Sequence, residues 1–149
     1  MSRASFLSSF AALSIAVFLW GCSARSFNSP GERIYFTSTS ASGTRITYTG
    51  GPGTMMQGPL TCATCHGPEG HGGTVQFMMQ SFQVPNITWP ELTGQDPDME
   101  HPPYTEATVK RAITQGLDPG GGQLEYPMPR WSMSQKDLDD LVSFLQTLK

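Results

Sequence analysis

Residues Thr61-Cys62-Ala63-Thr64-Cys65-His66-Gly67 constrain this chain more than any other stretch. The spacing is C-x-x-C-H. Two thiols so placed can add across the two vinyl groups of a haem, and the histidine beside the second one can offer a nitrogen to its iron. Gly67 lets the chain turn away close to the ring. A zinc site would need two more ligands at zinc-type spacing, but there is no second cysteine pair and His71 and His101 are isolated. A redox dithiol would need a βαβ context that the sequence lacks. The motif therefore predicts one covalent haem c held by Cys62 and Cys65, with His66 as an axial ligand, in a fold built around a flat macrocycle.

The 149 residues suggest one domain; 16 glycines, 12 prolines and only 14% charged residues suggest a loop-rich one with short helices. A formal charge of −3 argues against a nucleic-acid partner and weakly favours partners with a positive docking patch. The cysteine count is odd. Residues 1–21 read as an export signal, with one charge at Arg3 and an apolar run from Phe6 to Trp20 that is too short to span a bilayer comfortably. It ends in Leu19-Trp20-Gly21-Cys22, which resembles a bacterial lipoprotein lipobox and marks Cys22 for acylation. Lipidation would account for the third thiol. The expected organisation is a signal peptide over 1–21, a lipidated tether over 22–29 and a folded domain over 30–149. The mature domain is then expected outside the cytoplasm, on the periplasmic face of an inner or outer membrane.

Within the domain, Pro30 to Phe36 predicts a short helix with proline at its start. Arg45 to Thr49 alternates like a short strand, and Gly50 to Gly53 break it. Pro68 to Gly73 reads as a loop, Val75 to Met79 as an apolar run and Phe82 to Gly94 as extended chain. Thr105 can cap, and Gly116 can close, a helix whose apolar face is Val109, Ala112 and Ile113. A last helix opens at Ser134, with Leu138, Leu141, Val142, Leu145 and Leu148 as its stripe and Phe144 at the edge.

The occupant of the iron's second axial position decides between electron transfer and ligand chemistry. Methionines 55, 56, 78, 79, 99, 128 and 133, with His71 and His101, are the candidates. Met128 stands in Tyr126-Pro127-Met128-Pro129, where two prolines fix the backbone around it. Met133, beside the last helix, is its rival.

From Gly31–Phe36 through Cys62–Gly67, Pro85–Leu92, Thr105–Gly116 and Met128-Pro129 to Ser134–Leu148, the order of features resembles a class I monohaem cytochrome c. The resemblance implies a mainly α fold in which short N- and C-terminal helices cross, one helix lies between them, and long loops wrap the haem. It implies His66 and Met128 as axial ligands. It also implies a proline carbonyl that orients His66, from Pro85 or Pro90, with Pro85-Asn86-Ile87-Thr88 the closer match. Trp89, Arg130 and Trp131 become candidates for contact with the haem propionates. The Gly/Thr-rich stretch 38–60 has no counterpart, and its role stays open.

The expected function is that of a membrane-tethered one-electron carrier, working with a membrane redox complex or another redox protein and taking no small-molecule substrate. A haem subunit through which electrons enter a larger oxidase or reductase is the alternative. A haem sensor or peroxidase-like enzyme is the third reading, and would call for a distal His/Arg pair.

Overall fold

The computed structural model describes residues 26–52, 59–77, 79–95 and 101–149. The proposed signal peptide, Cys22, Met55, Met56, Met78 and Met99 lie outside them. Among the described residues there are five helices and four strands paired into two small antiparallel ribbons. Strand is a larger part of the fold than a mainly α expectation allows.

Helix α1 (Pro30–Thr37) starts as its sequence dictates, with proline in the first turn and the Ser29 hydroxyl accepting from the Glu32 N–H. Helix α5 (Gln135–Leu145) starts on Ser134, whose hydroxyl accepts from the Asp137 N–H. The two helices pack together, and Gly31 sets how closely. A Cβ on Gly31 would stand 1.9 Å from the Asp140 carbonyl oxygen and 2.8 Å from Phe144 Cβ, so only glycine admits this approach. Tyr35, Phe36 and Phe144 close the seam, with Tyr35–Phe36 and Tyr35–Phe144 centroids both 5.2 Å apart. All five stripe residues from Leu138 to Leu148 are buried in the one core.

Helix α4 (Glu106–Gln115) has both expected ends: a reciprocal box between Thr105 and Thr108, and Gly116 in the left-handed conformation. Lys110 joins it to α5 through Asp139 at 2.7 Å.

Three elements depart from the sequence reading. Strands β2 (Gly73–Phe77) and β3 (Gln80–Val84) pair antiparallel as a hairpin. A two-residue hairpin loop usually carries Gly, Asn or Asp, and Met78-Met79 offers none of them. Helix α3 (Trp89–Thr93) occupies part of the stretch expected to be extended. It is too short to show periodicity, and Thr88 gives it no side-chain cap. The expected strand is shorter, β1 (Thr47–Thr49), and it pairs with β4 (Arg130–Ser132). Tyr48 faces Trp131 there, with ring centroids 4.9 Å apart. Part of the Gly/Thr-rich stretch thus clamps the chain just beyond Met128.

Candidate functional site

The C-x-x-C-H run is itself a single helical turn, α2 (Cys62–His66). Thr61 caps it, its hydroxyl accepting from the Thr64 N–H, and Gly67 leaves it at φ +77°. The turn brings both cysteines and His66 to the wall of one cavity of about 360 Å³. Apolar side chains from part of the core complete that wall, among them Leu60, Val109, Ile113, Trp131 and Leu141.

Both thiols are free, and burial pushes them up, Cys62 to about 12. They are protonated at neutral pH, the opposite of an activated redox dithiol. Among the described residues no three His, Cys, Asp or Glu side chains converge as a metal cluster would require.

His66 is buried, and its Nδ1 lies 3.1 Å from the Pro85 carbonyl oxygen. A carbonyl only accepts, so Nδ1 carries the proton and Nε2 keeps its lone pair. Burial pulls the imidazole below its ordinary pKa, against the opposing pull of Pro85, and keeps the ring neutral. This is the state in which a histidine can ligate a metal, with its other nitrogen held in place.

Two glycines with positive φ build this arrangement. Gly72, at φ +68°, passes so close to the end of β3 that a Cβ would meet Val84 O at 2.2 Å and Pro85 O at 2.5 Å. Its N–H donates to the His66 carbonyl at 2.9 Å. Gly70 turns at φ +82° and accepts from the Ile87 N–H at 2.7 Å. The Pro85 carbonyl is thereby pinned from both sides. A further support is Tyr35, whose hydroxyl donates to Gly67 O at 2.6 Å and so ties α1 to the end of α2. A buried tyrosine at the sixth position of a helix reads as core packing, and nothing in the sequence signals this bond.

Met128 lines the same cavity, whereas Met133 packs against the core without bordering it. Met79 stands at the hairpin turn and is 100% exposed, which removes it from the wall. His71 is exposed beside Glu69, and His101 borders the cavity with Nδ1 donating to Pro102 O at 2.9 Å.

The loop carrying Met128 is braced by Arg130. Its guanidinium donates to the Met128 and Leu124 carbonyls and to Gln123 Oε1. It lies against Gly116, where a Cβ would come within 2.0 Å of Arg130 Nε. Arg130 therefore holds the loop and does not border the cavity. Trp89 does not border it either: it packs on the core in α3, whose first N–H donates to the Leu148 carbonyl. Trp131 is 5% exposed and does line the wall.

The donor set suits a haem: two adjacent thiols, a neutral imidazole with one nitrogen free, a thioether, and an apolar surround. No curated protein and no solved structure matches the chain. The family model for Cytochrome c matches residues 40–149, and the N-terminal helix that packs on α5 precedes the match. With well over half of its length so matched, the chain belongs to the cytochrome c family, whose members bind covalent haem c and generally carry electrons.

Proposed function

We propose that this protein is a one-electron carrier with a single haem c bonded to Cys62 and Cys65 and ligated by His66 and Met128. One observation carries the reading. His66, fixed through Nδ1 to Pro85 with Nε2 free, shares one apolar cavity with both cysteines and Met128. When bound, the haem supplies an iron that takes up and gives back one electron. The chain's own residues keep that exchange free of other chemistry. Pro85 sets the histidine's orientation and raises its basicity. Met128, as a thioether ligand, would raise the potential and close the site to substrates. Leu60, Ile113 and Leu141, which line the cavity, would keep water from a haem bound there.

The same reading extends to a periplasmic carrier tethered through an acylated Cys22, after removal of 1–21. Its support is the Leu19-Trp20-Gly21-Cys22 sequence and the extracytoplasmic setting in which haem is attached to such motifs. A tether keeps a carrier at high effective concentration beside a membrane redox complex, which is the partner proposed.

Absorbance spectra of both oxidation states test the ligation. Met128→Ala should lose the weak sulfur-to-iron band at the red end of the oxidised spectrum, and Met133→Ala should keep it. The reverse result refutes Met128. A protein that shows no covalent haem on denaturing gels refutes the whole reading.

A further inference from the structure

The β2–β3 hairpin sits between the haem-attachment turn and the strand end that holds His66, and no sequence motif explains it. Its two faces differ. Thr74, Gln76, Ser81 and Gln83 make one polar face, joined by Gln76 Nε2 to Ser81 Oγ at 3.2 Å and Gln83 Nε2 to Thr74 Oγ1 at 2.9 Å. The other face carries Val75, Phe77, Phe82 and Val84, with Phe77 and Val84 buried. On that face Phe77 and Phe82 lie 5.7 Å apart, and Phe82 meets Tyr126 edge to face, centroids 5.7 Å apart at 67°. Tyr126 is the second residue before Met128, and Val84, Tyr126 and Met128 all border the cavity.

We infer that the hairpin is a positioning element for the sixth ligand: the Phe82–Tyr126 ring contact holds the upstream limb of the Met128 loop over the cavity. The inference rests on the reading that Met128 ligates the iron. Arg130 braces the loop from within, and the β1–β4 pairing holds its downstream limb. Tyr126 stays 50% exposed, so burial alone does not fix the upstream limb. Backbone bonds from the Leu124 N–H to Gly116 O at 2.8 Å and from the Met128 N–H to Glu125 O at 3.1 Å hold the ends of this limb, and the hairpin adds the side-chain restraint on Tyr126 between them. Phe82 does not border the cavity, so its effect would pass through Tyr126 to Met128.

An added ligand such as imidazole reaches the oxidised iron only from the state in which Met128 is detached. Its apparent affinity therefore measures how much of that state exists. An aromatic edge-to-face pair is worth enough to change this population by about 2- to 10-fold. The experiment is imidazole titration of the full haem-loaded protein, read with the red-end band. Phe82→Ala and Tyr126→Ala should each tighten imidazole binding by about 2- to 10-fold and weaken the band. The double variant should add little to either, because both remove the same contact. Tyr126→Phe, which keeps the ring, should behave as wild type, and so should Met79→Ser at the exposed turn. Tyr126 is half exposed, so its alanine variant tests the idea even where Phe82→Ala fails to fold. Unchanged affinity in Tyr126→Ala, or additive effects in the double variant, overturns the hairpin's role and leaves Met128 as ligand. A wild-type protein without the band, or a Met128→Ala variant that retains it, overturns the ligand reading and the hairpin's role with it.

Discussion

Replacing Gly72 with alanine isolates the bond that orients His66. The residue sits at φ +68°, and its new Cβ would stand 2.2 Å from Val84 O and 2.5 Å from Pro85 O. An ordinary C···O contact is about 3.3 Å or longer, so the strand end must retreat by about 1 Å. The His66 Nδ1 to Pro85 O distance of 3.1 Å then passes beyond hydrogen-bonding range. The cost in stability is the lost bond, about 1 kcal/mol, plus left-handed strain of about 1–2 kcal/mol. The sign of the redox effect follows from the ligand's basicity. Nδ1–H donation makes His66 a better donor, which favours the more positive oxidised iron. Losing it raises the potential. The shift is bounded by the bond's own value: about 0.5–1.5 kcal/mol corresponds to about 20–60 mV for one electron. Gly73→Ala is the control. Gly73 has φ +118°, yet a Cβ there meets nothing within 4 Å. It carries backbone strain without the collision. Redox titration and denaturant melts of both variants should show stability loss in both and a raised potential in Gly72→Ala alone. Equal potentials in the two, or a lowered one in Gly72→Ala, would refute the reasoning.

Other perturbations test the supports one at a time. Gly31→Ala should force α1 from α5 and cost about 2–3 kcal/mol in a denaturant melt, because its Cβ would overlap the Asp140 carbonyl. Tyr35→Phe removes the bond to Gly67 O and should lower the thermal midpoint by about 3–6 °C with the haem still attached. Arg130→Lys replaces a planar fork that reaches several carbonyls with a single ammonium. It should weaken the sulfur-to-iron band without loss of haem. Lys110 and Gln135 hold the Asp139 carboxyl below its ordinary range. With the folded value depressed, this bridge contributes above the unfolded carboxylate pKa of about 4 and is lost as pH falls through the lower folded value. Thermal midpoints measured on acidification should therefore fall less in Asp139→Asn than in wild type.

Those parts of the fold whose cause is local were legible in the sequence. Ser134, Thr105 and Gly116 mark helix ends by chemistry that involves only the next few residues, and the α5 stripe needs only its own spacing. The attachment turn is local too. What could not be read depends on chains that meet from far apart. The β1–β4 pairing joins two strands of three residues, neither long enough to announce a partner. The hairpin lacks the turn residues that would signal it. Arg130 shows the limit at the site itself. In the sequence it is a cation beside the Met128 loop, and only the closed loop reveals that it reaches three acceptors of the chain itself. Gly72 likewise reads as one of several loop glycines until the Pro85 carbonyl is seen pressed against it.

The supports of the two proposed ligands, His66 and Met128, are linked by one short strand. At its C-terminal end β3 runs into Pro85, whose carbonyl accepts from His66. At its centre Phe82 touches Tyr126, on the approach to Met128. Five residues, Gln80–Val84, thus tie together the supports of His66 and Met128, which lie far apart in sequence. Neither support is an ion pair; one is a backbone carbonyl and the other an aromatic ring. Their strength therefore depends little on salt or on neighbouring titrations, unlike the exposed Lys110–Asp139 bridge. A strand that restrains both residues also opposes motion of one relative to the other. An electron carrier gains from this, because iron whose ligands barely move between oxidation states exchanges electrons with little reorganisation.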